Sequence, residues 1–207
     1  AGGAIAAQDS FGLAQAPHAS YEVVVDAASG DVSPAVLERL AADQVTVLQT
    51  GVGVGTGPSR SLRWHNTSAA SVLNQPIRVR SGGCASDCGA GDTYRIRAWE
   101  TTYMVPRFNN SGTQVTVLLV QNTTNRPLSG RAYFWGPGGA LLGSHAFALG
   151  PRAQLVLNAA SVAGTAGQGG SITVAHDGGH GALAGKAVAL EPASGFSFDS
   201  PMSGRAR

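Results

Sequence analysis

Two histidines and an aspartate lie close together near the end of the chain, and side chains of these types can bind a metal ion. His176, Asp177 and His180 belong to the stretch AHDGGHGALAG at residues 175–185. Imidazole nitrogen and carboxylate oxygen are both ligands that zinc accepts. Three glycines at residues 178, 179 and 181 argue against the helix that would place both histidines on one face. The flanks are β-prone and Asp-Gly is typical of hairpin turns, so we expect a turn between two strands and no metal site.

The only two cysteines are Cys84 and Cys88, in the stretch GGCASDCGAGD. Two thiolates are too few ligands for a structural zinc site. A disulfide closing a small loop in an exported protein is the favoured interpretation, and two reduced thiols are the alternative. Calcium is the metal that remains to be considered, because Asp26, Asp31 and Asp43 lie in or near predicted loops. No calcium-loop motif is present, so we favour solvated turn carboxylates and predict no cofactor.

The sequence holds no pattern typical of a catalytic site. A G-x-S-x-G motif is absent, and Ser144 and His145 are neighbours in a predicted strand, where they would point to opposite faces. Asp177, Glu191 and Asp199 lie at predicted strand ends or in loops, where carboxylates commonly serve turns. The glycines of GVGVGTG at residues 51–57 precede a strand instead of a helix, which argues against a phosphate site. We predict a protein that is not an enzyme.

Arginine side chains recur on one parity of three predicted strands, at residues 60–66, 75–81 and 92–103. Apolar residues take the other parity, which is the alternation of a half-buried sheet. If these strands are neighbours, their outer face is basic and could bind an anionic partner, and the alternative is an ordinary solvated face. The residues of this predicted basic face are Arg63, His65, Arg78, Arg80, Arg95, Arg97 and Trp99.

Composition points to an all-β protein. The 207 residues include 29 glycines and 10 prolines, only 13% are charged, and short Val, Leu, Ile and Thr runs alternate with Gly and Asn clusters. The longest apolar run, VTVLLV at 115–120, has the length of a strand and not of a membrane span. The net charge of +2 indicates no nucleic-acid partner. Three Asn-x-Ser/Thr sequons, at Asn66, Asn109 and Asn122, permit glycosylation.

Two tandem antiparallel β-sandwiches are the predicted architecture, with a boundary between residues 104 and 105. The turn-rich stretch MVPRFNNSG at 104–112 marks this boundary, because proline and Asn-Gly clusters interrupt regular structure. Residues 35–50 allow a short helix or a hairpin that turns at Asp43. The second half predicts six strands at short spacing, and the first nine residues and the tail SPMSGRAR are expected to be loosely structured.

The first half resembles the bacterial pre-peptidase C-terminal domain over residues 9–103. The stretches that carry the resemblance are SFGLAQAPHASYEVVVDAASGD, VLERLAADQVTVLQTG and DTYRIRAWETTY, with Asp9, Phe11, Ser20-Tyr21, Asp43 and Asp92-Thr93-Tyr94 at the family's positions. The resemblance implies a small β-sandwich that serves as a non-catalytic accessory module of an exported bacterial protein. It also favours the hairpin over the helix at 35–42. The second half indicates only an immunoglobulin-like or fibronectin-like sandwich.

The sequence therefore predicts an exported, non-catalytic protein of the cell surface or the extracellular space. The first hypothesis is a structural or adhesion protein that assembles with copies of itself or with other surface proteins. Residues 1–43 carry a charge balance of −5 and residues 44–99 one of +4, so the acidic segment of one copy could meet the basic face of another. The Gly/Ala-rich N-terminus could also pair with a neighbour's sheet edge. The second hypothesis is a binding module for anionic glycans, released from a larger secreted hydrolase.

Overall fold

The structure, a computed structural model, describes residues 8–30, 35–83 and 91–205, and it confirms the all-β fold class. The strands before residue 101 are β1 (Gln8–Gln15), β2 (Ser20–Asp26), β3 (Val36–Leu40), β4 (Val47–Thr50), β5 (Val52–Gly53), β6 (Arg60–His65), β7 (Val72–Arg80) and β8 (Arg95–Glu100). Those after it are β9 (Tyr103–Asn109), β10 (Val115–Asn122), β11 (Leu128–Trp135), β12 (Leu141–Leu149), β13 (Gln154–Asn158), β14 (Gly169–His176), β15 (Leu183–Glu191), β16 (Phe196–Pro201) and β17 (Ser203–Gly204). A 3-10 helix covers Ala159–Ser161.

The chain divides into two compact units. Unit 1 comprises Ala1–Pro17 with Tyr21–Trp99, and unit 2 comprises His18–Ser20 with Glu100–Arg207. The domain boundary that we place at 104/105 from the sequence stays a prediction. In the described ranges no helix is long and apolar enough to cross a membrane.

Unit 1 contains two four-stranded sheets, with strand orders β1-β7-β3-β4 and β5-β6-β2-β8. The apolar core residues of β2 are Tyr21, Val23 and Val25, which occupy alternate positions because successive side chains of a strand point to opposite faces. The polar residues Ser20 and Glu22 of the same strand are also buried. The large core side chains are Tyr21, Val23, Val25, Leu37, Leu62, Trp64, Ile77 and Val79.

Unit 2 contains a four-stranded sheet of order β13-β10-β15-β16 and a five-stranded sheet of order β12-β11-β14-β9-β17. The two sheets together contribute aliphatic and aromatic side chains to the core of this unit. The rings of Phe108 and Phe134 pack edge to face, with their centroids 5.4 Å apart. The hydroxyl of buried Thr165 donates a short hydrogen bond to the carbonyl of Ala159. Other core members are Leu118, Val120, Leu128, Phe147, Leu149, Ile172 and Val174.

The hairpin alternative at residues 35–50 is confirmed, because β3 and β4 pair antiparallel. Asp43 forms the turn: its carboxylate accepts hydrogen bonds from the backbone N–H groups of Val45 and Thr46, both at 2.9 Å, and from the Thr46 hydroxyl at 2.5 Å. This is the Asx turn that competes with helix formation. These donors, the Thr46 hydroxyl first, hold the pKa of Asp43 below its usual range.

The predicted break at residues 104–112 is wrong over most of its length, since β9 runs through Pro106. In the pairing of β9 with β14, Val105 lies opposite Ile172 and Phe108 lies opposite Gly170. Between these two pairs β9 has two residues and β14 has one, so β9 contains a bulge at Pro106. Proline lacks an N–H group and is tolerated at such a bulge. Gly170 has a φ of +154°, and a Cβ atom on it would lie 1.8 Å from the Trp135 carbonyl oxygen, so the site requires glycine.

The single strand predicted over residues 92–103 is divided into β8 and β9 by Thr101 and Thr102. Both threonines are buried and both bind Ser20: the Thr101 N–H donates to the Ser20 carbonyl at 2.8 Å, and the Ser20 N–H donates to the Thr102 hydroxyl at 2.9 Å. Long-range bonds of this kind leave no local sequence pattern, which is why alternation alone predicted one strand.

Two further expectations for the second half are corrected. All six predicted strands exist, but β14 and β15 belong to different sheets, so the Asp177-Gly178 turn joins two sheets and makes no hairpin. The chain end was expected to be loosely structured from residue 200, yet β16 and β17 extend to Gly204. β16 pairs along β15 from Glu191 to Lys186. Backbone pairing with an existing sheet edge orders this polar segment without the help of apolar alternation.

Candidate interaction surfaces

The predicted basic face is not one surface. Arg63 and His65 lie on β6, the residues from Arg95 to Trp99 lie on β8, and β2 separates these two strands. Arg78 and Arg80 lie on β7, which belongs to the other sheet of unit 1. The assumption that the three strands are neighbours was therefore wrong. β6, β7 and β8 alternate between the two sheets of unit 1, and the parity of residues along a strand carries no information about the sheet to which the strand belongs.

Glu38 holds the two arginines of β7. It lies opposite Arg78 in the register of β3 and β7. Its carboxylate accepts from Arg78 Nε at 2.8 Å and from Arg80 Nη2 at 2.7 Å, while its side chain is only 5% exposed. The Arg80 guanidinium, with that of Arg78, lowers the pKa of Glu38 against the opposing effect of burial. Glu38 in turn raises the pKa of Arg80.

The other arginines of the predicted face also bind carboxylates of unit 1. Arg63 Nε donates to Glu22 at 2.9 Å, and Arg95 Nε donates to Asp26 at 2.9 Å. Arg97 forms a second ion pair with Asp26 and stacks over the ring of Trp99. The hydrogen bond from Arg95, together with Arg97, lowers the pKa of Asp26. The acidic first segment and the following basic segment thus neutralise each other inside one chain.

The three sequons are structural turns. The side-chain oxygens of Asn66, Asn109 and Asn122 accept hydrogen bonds from the N–H two residues later, at 3.0, 3.1 and 2.9 Å. The amide of Asn122 is fully buried and donates to the carbonyls of Arg126 and Gly150, at 2.7 and 2.8 Å. The Asn66 amide also donates to two backbone carbonyls. Asn-x-Ser/Thr here is the signature of an Asx turn, and in the folded chain these two amides are engaged.

The histidine cluster is the expected turn. The fully buried ring of His176 is used on both sides: Nδ1 accepts from the Gly178 N–H, and Nε2 lies 3.1 Å from the Thr101 carbonyl oxygen. Asp177 accepts from the Ser129 N–H at 2.7 Å, and His180 is exposed. Among the residues that the structure describes, no three His, Cys, Asp or Glu side chains could together hold a metal ion.

Two of the three calcium candidates, Asp26 and Asp43, have the partners given above, and Asp31 lies outside the described residues. Cys84 and Cys88 also lie outside them.

Sequence reasoning missed an exposed apolar rim in unit 1. Residues 44–59, here named the neutral edge segment, contain no charged residue. Within it, β4 is the last strand of one sheet and β5 the last strand of the other. Its aliphatic side chains are unusually accessible, with exposed fractions of 73% at Val45, 50% at Leu48 and 51% at Val52; Val47 and Val54 are exposed as well. The available signal was the long uncharged run of β-branched residues, which ends at Pro58.

A second missed surface covers the outside of the β13-β10-β15-β16 sheet in unit 2. On β10, Leu118 and Val120 point into the core, so Val115, Val117 and Leu119 point outward. The register places Val117 beside Val188, Leu119 beside Val156, and Val115 beside Leu190. We name this set of six side chains the outer aliphatic face. The signal was present in VTVLLV, which is apolar on both parities.

Comparisons with known proteins add little to this geometry. No family model matches the chain, and no curated protein matches it significantly. One solved structure with a weak likeness is the crystal structure of Bacteroides uniformis β-glucuronidase, at 11% sequence identity and a TM-score of 0.27. The alignment covers 96% of this chain and 26% of that one, so the chain spans about a quarter of its length. A likeness at this level assigns neither a fold nor a function.

Proposed function

We propose that this chain is an exported, non-catalytic structural protein that associates with copies of itself through the neutral edge segment. The observation that carries the proposal is the exposure of this uncharged, aliphatic stretch at the edges of both sheets of unit 1. An edge strand presents unpaired N–H and C=O groups, and proteins that stay monomeric usually protect such edges with lysine, proline or a bulge. Here β4 and β5 contain neither a charge nor a proline.

A second copy is the partner that suits this edge best. When two copies of one strand pair antiparallel about a two-fold axis, every residue meets a residue of the same segment. A charge close to the axis would then oppose its own copy, which destabilises cross-strand pairs. A segment without charges avoids this cost, and its exposed valines and leucine are residue types that stabilise cross-strand pairs.

The ion pairs of unit 1 favour self-association over binding of an anionic glycan. Five guanidinium groups of the predicted basic face already bind Glu22, Asp26 or Glu38. A polyanion would have to compete with these carboxylates, two of which have side chains less than 10% exposed. Because the acidic segment binds its own chain, we no longer expect it to reach the arginines of a neighbour.

Several carboxylates have structural partners, which supports a non-catalytic role. Glu100 binds Arg205 at 2.5 Å, Glu191 accepts from the Thr113 hydroxyl at 2.6 Å, and Asp199 binds Lys186. The proposal of export rests on the resemblance to the pre-peptidase C-terminal domain. It gains support from the contact of two residues of that pattern, since the Tyr94 hydroxyl donates to Asp9 at 2.5 Å. Burial and this carboxylate raise the pKa of Tyr94.

The test is the mass of the purified chain by multi-angle light scattering, with negative-stain images of the same samples. We expect particles of at least two chains with a regular appearance, and association through the segment should persist in 1 M NaCl because the segment is uncharged. Val47→Lys and Leu48→Lys should each lower the mass at least twofold. The matched control is Leu73→Lys, the same kind of change at a leucine that is 88% exposed on β7.

Three results would overturn the proposal. The first is a wild-type monomer at every concentration, and the second is an unchanged mass in both edge variants. The third is loss of association on deleting residues 1–7 while both edge variants behave as wild type, which would make the N-terminal residues the interface. A monomer whose tryptophan fluorescence responds to dextran sulfate would favour the glycan-binding alternative.

A further inference from the structure

The outer aliphatic face of unit 2 is an apolar surface on the side of the sheet that faces away from the core. Val156 is 64% exposed and Leu190 is 40% exposed, and the other four side chains are partly exposed. An antiparallel sheet with one face on the core usually shows polar residues on the other. Here β10 carries a valine or leucine at five of its first six positions, whichever face the position points to. Fold stability requires apolar residues only on the inner face.

The size of this face is consistent with an interaction surface. Its six side chains lie on three strands about 4.8 Å apart and span about five residues of β10 at 3.4 Å per residue, which gives a patch of roughly 240 Å². This is close to the lower end of the range of roughly 300–600 Å² for the largest apolar patches on monomeric proteins, which are often functional. Polar and charged groups border it: Gln121 and Gln154 pair beyond one end, Lys186 lies beside Leu119, and Asp199 lies beside Val188.

We infer that this face packs against the same face of a second copy. The inference rests on the proposed function, and it adds a second interface on a different unit. The argument for a copy is charge complementarity. The face has one cation, Lys186, and one anion, Asp199, which are 2.5 Å apart and 44% and 55% exposed. Two such faces related by a two-fold axis can exchange these pairs, and the aliphatic centres meet at the spacing of about 10 Å that is normal for packed sheets.

A second self-complementary surface changes what the protein can build. One two-fold interface closes on itself and gives only a dimer. Two different two-fold interfaces on one chain, the neutral edge segment and the outer aliphatic face, link chains alternately and allow a polymer. A stable interface buries about 800 Å² on each partner, so a patch of roughly 240 Å² is weak by itself and acts together with the edge.

The experiment compares four proteins by light scattering over a hundredfold range of concentration. Wild type should give a mass that grows with concentration, and Val156→Lys should stop growth at two chains, about 42 kDa for a chain of 20.9 kDa. Val47→Lys should give monomers that dimerise only at the highest concentrations. The combination of both substitutions should give a monomer throughout.

Matched controls separate the role of the face from general effects of a new lysine. Ala148→Lys places the same charge on an exposed position of β12, an edge strand of the other sheet in unit 2, and should leave growth unchanged. Val156→Thr keeps the shape and reduces only the apolar character, and it should weaken growth less than Val156→Lys. Circular dichroism checks that each variant retains its β-sheet signal.

The two proposals fail differently in this experiment. A wild-type monomer overturns both. If Val47→Lys reduces the mass and Val156→Lys grows like wild type, the inference about the outer aliphatic face is wrong and the proposed function stands. If Ala148→Lys stops growth as Val156→Lys does, the effect is one of charge and the inference is also overturned.

Discussion

The central strands β7 and β10 occupy equivalent places in four-stranded sheets and differ in what they show on the outside. β7 directs Arg78 and Arg80 outward, and Glu38 of the neighbouring strand holds both. β10 directs Val117 and Leu119 outward, and their neighbours Val188 and Val156 are also aliphatic. On the outside of β7 in unit 1, charged side chains form ion pairs with carboxylates of the same chain. On the outside of β10 in unit 2, aliphatic side chains form a face that the described strands of this unit do not cover.

The comparison shows that net charge is a poor guide to a binding surface. Residues 44–99 are basic as a sequence, but five of their six arginines form ion pairs with Glu22, Asp26 or Glu38 in the folded chain. The surfaces that suit a partner are mainly aliphatic: the neutral edge segment has no charge, and the outer aliphatic face is bordered by the single ion pair of Lys186 and Asp199.

The largest effect is expected inside β10. Leu118→Ala removes a side chain that is fully buried in the core of unit 2, and it should lower the free energy of unfolding by about 3 kcal/mol. Val117→Ala, one residue earlier on the outer face, should cost about 0.5–1 kcal/mol. Urea unfolding measures both at several protein concentrations. Equal losses for the two variants would show that Val117 is buried in the folded chain and would contradict the outer aliphatic face.

An intermediate effect is expected from Glu38→Gln. The variant leaves Arg78 and Arg80 without their carboxylate while keeping the shape of the side chain, and it should cost about 2 kcal/mol, as for hydrogen bonds between charged groups. The matched control is Asp199→Asn, which breaks the exposed pair with Lys186 and should cost less than about 1 kcal/mol. Thermal unfolding of both variants measures the difference. A larger loss for Asp199→Asn would reverse the contrast between the two sheets.

The smallest effect is expected in the pH dependence of the same pair. The pKa of Glu38 lies below its ordinary value of 4.5 in the folded chain. A carboxyl group with a lowered pKa stabilises the fold above the unfolded-state pKa, and this contribution is lost as the pH falls through the folded-state pKa. Wild type should therefore lose stability below about pH 4.5 more steeply than Glu38→Gln. Parallel stability curves from pH 6 to pH 2 would show that Glu38 has no such coupling.

Local sequence patterns predicted most strands of this protein for an identifiable reason. β-Branched runs bounded by Gly, Asn and Pro mark strands wherever the core takes one face, and all six strands expected in the second half of the chain are present. β16 was missed because FSFDSP lacks this pattern, and it is ordered by backbone pairing with β15. The exposure of the neutral edge segment was missed because it depends on which strand lies at the edge of a sheet. The residues of a single strand do not show whether that strand will be central or at an edge.

Local patterns in the sequence were enough for the all-β class and for the turn at His176–His180, because glycines, turn carboxylates and two-residue periodicity act over a few residues. At residues 35–50 these patterns allowed both a helix and a hairpin, and the family resemblance favoured the hairpin that the structure contains. The tertiary structure alone decided that β6, β7 and β8 fall into two sheets, that Glu22, Asp26 and Glu38 neutralise the arginines, and that one side of β10 faces outward. These outcomes depend on contacts between residues far apart in the chain. The side chains of a strand alternate between two faces, and when both faces are apolar, as in β10, the pattern does not show which face will pack against the core.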